Sequence, residues 1–241
     1  MTSISTRWHQ IVGRIGIEFL IVVLGVTVAL WADSWVAERA ARDKETARLY
    51  GLLDNVSSTL IDLRAERENA SGAADTLQRL VLYEEKPVPE NELGGVLQYA
   101  FLYGSAFSAE LNVYEDLKSS GELALLSNAD LRQALAKMDS RLVQVKLAQS
   151  DLMAVMHNNF DSYWAEHADM RLVYGGALGI EGFAQNVEVD YGFVLDPEFR
   201  NRMMLKLDLV QWVNQSLKEA EDALVNVENS ISEQLGDQND R

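Results

Sequence analysis

The sequence predicts an all-α protein in which one N-terminal transmembrane helix leads into an elongated helical bundle. Residues 15–32 carry a single charged side chain, Glu18, and elsewhere apolar residues recur every three or four positions. The three prolines lie at 87, 89 and 197, which leaves long proline-free stretches. Apolar periodicity of this kind without prolines is typical of amphipathic helices. With 241 residues, 48% of them hydrophobic, the chain is long enough to bury a core.

Charge and composition divide the chain unevenly. We expect a short head at 1–14, a transmembrane helix at 15–36, an acidic helical bundle at 37–236 with a long connection near 172–195, and a polar tail at 237–241. Residues 1–37 are neutral overall, so the whole net charge of −16 lies on residues 38–241. An acidic surface repels phosphate backbones, and the sequence therefore predicts no nucleic-acid partner. The absence of cysteine excludes disulfides, thiolate metal sites and cysteine nucleophiles.

The apolar segment at 15–32 has the length of a membrane span. Eighteen residues at about 1.5 Å each make a helix of about 27 Å, close to the hydrocarbon thickness of a bilayer. Trp8 precedes the segment, and Trp31 and Trp35 close it, at positions where aromatic rings anchor in the head-group region. No small-x-small cleavage site ends the run, which argues against a signal peptide. We therefore expect an uncleaved anchor in the lipid bilayer.

The orientation of this anchor follows from charge. Basic residues before and after the span are nearly balanced, but the head is purely positive and the acidic mass follows the span. The sequence therefore predicts a single-pass protein of a bacterial inner membrane, with its N-terminus in the cytoplasm and its C-terminal domain in the periplasm.

One face of the predicted membrane helix is lined mostly by small residues, because positions spaced alternately by four and three residues share a helical face. Its members are Glu18, Val22, Gly25, Ala29 and Ala32. Gly25 and Ala29 form a small-xxx-small pair, which predicts self-association or contact with another membrane protein. Glu18 has three possible roles: it reaches the inner head groups, it pairs with Arg14, or it faces a lumen or a polar partner.

Further helices are predicted in the rest of the chain. They are a helix from Leu49 to a point before Pro87, the segment "ENELGGVLQYAFLYG", a helix and a short helix joined by a tight turn within "NVYEDLKSSGELALLSNADLRQAL", a helix from Leu131 to about Tyr163, and a last helix from Pro197 to about Leu235. The apolar stripe of the first of these helices is expected at Leu49, Leu53, Val56, Leu60, Leu63, Ala70, Ala74, Leu77 and Val81, and that of the last at Met203, Val210, Val213, Leu217, Ala220, Leu224, Val227 and Ile231. Gly121 supplies a helix end or turn, and Ser127 or Asn128 is the N-cap of the helix that follows. Asp196 is the expected N-cap of the last helix, whose first turn begins with Pro197.

Two stretches carry a family resemblance. The segment "IGIEFLIVVLGVTVALWADSW" and the later "VYEDLKSSGELALLSNADLRQAL" resemble a widespread bacterial family of uncharacterised single-pass membrane proteins, a domain of unknown function. The shared turn reads Tyr-x-x-Leu-x-x-Ser-Gly-x-Leu and is matched here by Tyr114, Leu117, Ser120, Gly121 and Leu123. The resemblance implies the topology of a Glu-led anchor followed by a helical body, and it implies no chemistry.

Candidate catalytic and metal sites are weak in this sequence. His157 and His167 lie near Asp161, Glu166 and Asp169, but no Glu-x-x-His pair of the kind used in di-iron bundles occurs. The chain also lacks a G-x-S-x-G elbow, a Walker loop and a Rossmann glycine pattern. We therefore expect no enzyme activity, no cofactor and no metal site.

These features predict a membrane-anchored structural or scaffolding protein that acts as a homo-oligomer or as an accessory subunit of a membrane complex. One alternative is an oligomeric ion channel with Glu18 at the pore mouth. A second alternative is a ligand-binding sensor bundle that acts through a partner, because helical bundles beside a membrane helix often bind ligands.

Overall fold

The structure is a computed structural model. It describes the backbone of residues 4–167, 169–170 and 190–239, and the side chains of residues 23–167, 169–170 and 190–236.

The described residues form helices and no strand, which confirms the all-α class. The helices are α1 (Ile4–Val81), α2 (Glu90–Leu102), α3 (Asn112–Ser119), α4 (Ala129–Val155), α5 (Asp161–His167) and α6 (Pro197–Asn239). A π-helical turn at Met156–Phe160 joins α4 to α5, and 3₁₀ turns cover Glu122–Leu125 and Gly192–Leu195. The last helix thus ends four residues later than the sequence predicts. Of the predicted connection near 172–195, residues 172–189 lie outside the described residues.

The chain divides into two compact units, Met1–Tyr50 and Gly51–Arg241, and the helix α1 contributes to both. In the first unit every described side chain from residue 23 to residue 44 is exposed. Its internal contacts are local: the Thr27 hydroxyl donates to the Val23 carbonyl at 2.8 Å, and the Arg39 guanidinium lies 5.7 Å from the centroid of the Trp35 ring system. Residues 23–44 of this unit therefore form a helix in which no side chain is buried.

The predicted membrane span is the part of the fold class that the structure does not support. No helix within the described residues is long and apolar enough to cross a membrane. The side chains of residues 15–22, which form the first part of the predicted span, lie outside the described residues.

The second unit, which we call the bundle, has a continuous apolar core. The helices α4 and α6 pack against each other, and the periodic positions predicted for α6 are buried. Those positions are Met203, Val210, Val213, Leu217, Ala220, Leu224, Val227 and Ile231. On α1 the buried stripe runs through Leu52, Ala73 and Leu80, one residue before the predicted Leu53, Ala74 and Val81. The apolar rhythm is therefore right, and its exact phase on α1 is wrong at these three positions.

The ends of the bundle helices follow capping chemistry. The Asn128 side-chain oxygen accepts hydrogen bonds from the amides of Asp130 and Leu131 at 2.9 and 3.1 Å, which identifies Asn128 as the N-cap of α4. Asp196 accepts from the Glu198 amide at 2.9 Å in the same way, and Pro197 opens α6. Gly121 has φ of 75°, a left-handed conformation that glycine adopts without steric cost just after α3.

Candidate functional site

The helix that runs from α4 into α5 is interrupted by the π-helical turn at Met156–Phe160. The amide of Asp161 donates to the carbonyl of Met156, five residues back, which is the hydrogen-bond pattern of a π turn. Two consecutive asparagines, Asn158 and Asn159, lie in this turn, and asparagine is a weak helix former. Turns of this kind occur preferentially at functional sites, because they re-aim the side chains that follow them.

A cluster of aromatic side chains surrounds the π turn. The rings of Phe160 and Trp164 have centroids 6.0 Å apart, and the Trp164 ring meets Phe199 edge to face at 5.9 Å. Phe193 in turn meets Phe199 at 5.5 Å, and Phe101 from α2 contacts the Trp164 ring. Four separate segments thus meet in one aromatic cluster, which fixes the positions of α2, α5 and α6 at this end of the bundle.

A lysine is buried beside this cluster. The side chain of Lys206, on α6, is 1% exposed, and its Nζ donates to the Phe101 carbonyl at 3.2 Å. That carbonyl lies in the last turn of α2, where backbone acceptors lack helical partners and a cation is favoured by the helix dipole. The Nζ also lies 5.8 Å from the centroid of the Phe160 ring.

Burial governs the charge of this lysine. Desolvation lowers the pKa of Lys206 to about 7, and the nearby Asp161 carboxylate opposes that shift in part. Within the described residues Lys206 forms no ion pair that would hold its charge. Its ammonium therefore loses its proton near neutral pH, far below the range of an exposed lysine.

Arg202, on α6, contacts both the π turn and the helix α5 that follows it. Its guanidinium lies 4.5 Å from the centroid of the Tyr163 ring, and it donates to the Asn159 carbonyl inside the turn and to the Glu198 carboxylate. Burial is the largest cause that raises the pKa of Tyr163, with Asp196 and Glu198 adding to the shift and Arg202 opposing it. The Tyr163 hydroxyl is buried and has no hydrogen-bond partner among the described residues.

A cavity of about 230 Å³ opens beside the π turn, and we call it the π-turn cavity. Its apolar wall includes Phe101, Phe160 and Trp164 together with the thioethers of Met153 and Met156. Two exposed polar side chains, His157 and Asp161, lie at its rim. The cavity therefore combines an aromatic interior with a polar edge, the usual composition of a small-molecule site.

The two rim side chains both offer acceptors. His157 Nδ1 lies 2.8 Å from the Met153 carbonyl, which can only accept, so Nδ1 carries the proton and Nε2 is an acceptor in the neutral ring. The Asp161 carboxylate has no hydrogen-bond partner among the described residues. The rim thus leaves one anionic acceptor and one neutral acceptor open to a ligand.

Of the residues considered in the sequence, His157 and Asp161 lie at this cavity, and the residues of the predicted membrane helix do not. Gly25, Ala29, Ala32, Trp31 and Trp35 are all exposed in the first unit. The side chains of Trp8, Glu18 and Val22 lie outside the described residues.

The turn motif has a structural position in the bundle. Tyr114 and Leu117 are buried on α3, Leu123 is half-buried, and Ser120 is exposed next to the left-handed Gly121. The Ser120 hydroxyl donates to the Leu117 carbonyl at 3.3 Å. These residues end α3 and hold its apolar face in the core.

Sequence reasoning missed Lys206, although a signal was present. The buried stripe of α6 steps from Met203 to Val210, and the position that a three-four rhythm requires between them is 206. A lysine on the buried face of a periodic helix is rarely accidental, because its desolvation is costly. The aromatic wall was missed because its members come from segments far apart in the chain.

Neither candidate metal ligands nor known relatives identify a ligand for this cavity. Across the parts of the chain that the structure describes, no group of three or more histidine, aspartate or glutamate side chains could hold a metal ion. No family model, curated protein or solved structure matches the chain.

Proposed function

We propose that the protein is a membrane-anchored structural or scaffolding protein, in which residues 15–36 cross a bilayer and bring copies of the chain, or an accessory partner, together. The observation that carries the proposal is the exposure of the first unit. Eight large apolar side chains between residues 23 and 36 are 45% to 70% exposed in the isolated chain. They are Val23, Leu24, Val26, Val28, Leu30, Trp31, Trp35 and Val36.

An exposed apolar surface of this extent is unfavourable in water unless lipid or another protein buries it. Monomeric proteins in water rarely expose contiguous apolar patches of more than a few hundred Å², and larger patches belong to membrane or protein contacts. Each large apolar side chain gains about 1.5–3 kcal/mol when it moves fully from water into an apolar environment. Eight partly exposed side chains therefore make transfer into lipid strongly favourable, and lipid tails fit a helix that is apolar on all sides.

The proposed span also includes residues whose side chains lie outside the described residues. Residues 23–36 supply fourteen positions of the span, and residues 15–22 supply the remaining eight from sequence. The α1 backbone is helical from Ile4, so it is continuous over the whole stretch. The resemblance to single-pass proteins with a Glu-led apolar segment supports the same topology, as does the charge asymmetry that favours a periplasmic bundle.

The small-residue face supports self-association. A Cβ built on Gly25 meets no atom within 4 Å, and Ala29 and Ala32 on the same face are exposed. A helix can approach such a face closely, because no large side chain separates the two backbones. The expected partner is a second copy of α1 or a helix of another membrane protein.

Membrane fractionation with a matched pair of double variants tests the anchor. Leu24→Lys with Val28→Lys places two charges inside the proposed span, each at a cost of about 2.5–3.5 kcal/mol at the membrane centre. Ile61→Lys with Ala65→Lys makes the same change at the same spacing on exposed positions of α1 within the bundle. We expect the parent chain and the control to sediment with membranes, and the Leu24/Val28 variant to stay in the aqueous supernatant.

Cross-linking in membranes tests self-association. Gly25→Leu fills the proposed contact face, while Gly95→Leu changes an equally open glycine on α2. Loss of the cross-linked species in the first variant and its retention in the second is the expected result. A chain that stays in the supernatant without detergent refutes the anchor, and a cross-linked species insensitive to Gly25→Leu refutes this contact face.

A further inference from the structure

We propose that the π-turn cavity is a binding site for a small organic cation, an amine or quaternary ammonium compound with an apolar body. This site is separate from the proposed anchor and requires neither a bilayer nor a second copy. It is defined by the aromatic wall of Phe101, Phe160 and Trp164 and by the rim of His157 and Asp161.

The hydrogen-bonding groups of the cavity select the sign of the ligand. The rim offers the Asp161 carboxylate and, in the neutral imidazole, His157 Nε2, and both are acceptors. Among the residues that the structure describes, none of the other side chains lining the cavity carries a cationic group. A carboxylate ligand would meet repulsion from Asp161, whereas an ammonium group would meet an attractive partner.

The apolar wall favours the same class of ligand. Aromatic faces attract cations through the ring quadrupole, and cages of aromatic rings are a recurrent way to bind quaternary ammonium groups. The Met153 and Met156 thioethers are polarisable and adapt to irregular apolar bodies. At about 230 Å³, the cavity suits a ligand of roughly one ring with a short substituent, below the usual range for drug-sized molecules.

Lys206 lies close to this wall, with its Nζ 5.8 Å from the centroid of the Phe160 ring, and two of its properties limit its opposition to a positive ligand. Its ammonium donates to the Phe101 carbonyl, which satisfies one of its protons within the protein, and burial lowers its pKa to about 7. Near and above neutral pH much of its charge is therefore absent. The net charge of −16 over the chain also raises the local concentration of cations around the protein.

Three aromatic compounds distinguish the contribution of ligand charge to binding affinity from the contribution of apolar contact. Phenyltrimethylammonium carries the cation, tert-butylbenzene is its neutral isostere, and benzoate carries the opposite charge. Binding is followed by nuclear magnetic resonance of methionine methyl groups in the full-length chain, held in a non-ionic sugar-based detergent. Met153 and Met156 lie at the cavity, and Met138, buried elsewhere on α4, serves as the internal control.

We expect phenyltrimethylammonium to shift the Met153 and Met156 signals, to leave Met138 unchanged, and to bind about tenfold more tightly than tert-butylbenzene. Benzoate is expected to bind more weakly than either. Asp161→Asn removes the rim charge from an exposed position, so the fold is kept, and we expect it to weaken cation binding about five- to tenfold. Glu166→Gln removes an equally exposed carboxylate of α5 that does not line the cavity and should leave binding unchanged.

Three results would overturn the assignment. They are equal affinity for the cation and its neutral isostere, equal effects of Asp161→Asn and Glu166→Gln, and no shift of Met153 or Met156 with any of the three compounds. Membrane fractionation of the same preparations reports on the anchor separately, so either proposal can fail without the other.

Discussion

The two units of this chain depart from ordinary burial in opposite directions. In the first unit, apolar side chains such as Leu24, Val28 and Leu30 are exposed, and nothing in the described part of that unit covers them. In the bundle, a core of apolar side chains is buried as expected, but a lysine, Lys206, is buried with them. In the first unit, exposed apolar surface contributes no burial free energy to folding. In the bundle, the desolvation cost of a buried cation opposes folding.

Each of these two departures from ordinary burial indicates an interaction that the stability of the isolated fold does not account for. Exposed apolar surface indicates an environment or partner outside the chain, which we propose to be lipid and a neighbouring helix. A buried amine indicates a local arrangement that is retained despite its cost, here the α2 terminus, the π turn and the cavity beside them. The comparison therefore predicts that matched substitutions in the two units behave differently.

The largest expected difference concerns leucine truncation. Leu217→Ala removes a fully buried side chain of α6, and we expect it to lower the free energy of unfolding by about 2–5 kcal/mol through lost contacts and a residual cavity. Leu30→Ala, in the first unit, is expected to change the same quantity by less than about 0.5 kcal/mol. Thermal and urea unfolding of the full-length chain in detergent, followed by circular dichroism, measures both. Equal losses would mean that the first unit shares a core with the bundle.

The next effect concerns the buried cation. Lys206→Met keeps an unbranched chain of similar length and removes the desolvation cost, so we expect the bundle to gain about 1–4 kcal/mol at pH 7. A loss of stability in this variant would show that the contact of the Lys206 ammonium with the Phe101 carbonyl outweighs its burial.

The same lysine gives stability a pH dependence of known sign. Its pKa is about 7 in the folded chain and 10.5 when unfolded, so between these values the unfolded state binds more protons. The parent chain should therefore become more stable as the pH rises from 7 to about 9.5, and Lys206→Met should lack this rise. Measurements stop there because burial raises the pKa of Tyr103 and other tyrosines, whose ionisation opposes folding at higher pH. Parallel profiles for the two proteins would contradict the burial of a neutral amine.

The smallest effect concerns single hydroxyl and amide groups. Asn128→Ala removes the cap that binds the Asp130 and Leu131 amides and should cost about 1 kcal/mol. Thr27→Ala removes a hydroxyl that donates to the preceding turn of its own helix and should change stability by less than about 0.5 kcal/mol. Unfolding curves resolve both, and a Thr27→Ala loss as large as that of Asn128→Ala would assign tertiary contacts to the exposed helix.

Local rules predicted the helices well. Apolar periodicity located the core face of α6, and capping chemistry placed its start at Asp196 and Pro197. The left-handed Gly121 and the Asn128 cap follow from the same local chemistry, because each depends only on residues within one turn. These features need no knowledge of the rest of the chain.

The candidate site depends on long-range placement, which a single sequence does not reveal. The π turn shifts the register after Met156, and the predicted uninterrupted helix from Leu131 to Tyr163 gave no indication of it. The Phe101 carbonyl and Lys206 are more than a hundred residues apart, and only the tertiary fold brings them together. The sequence shows that Lys206 occupies a position of the buried α6 stripe. It does not show that the hydrogen-bond partner of Lys206 is the Phe101 carbonyl.

The central claim, that the exposed apolar helix lies in lipid, is tested most directly by cysteine accessibility. Because the chain has no cysteine, single cysteines at Leu24, Val28 and Ile61 can each be introduced into a silent background. In opened native membranes, we expect a water-soluble maleimide to label the cysteine at Ile61 and to label those at Leu24 and Val28 at least about tenfold more slowly, because lipid excludes the reagent and suppresses the thiolate. Equal labelling rates at all three positions would contradict the claim.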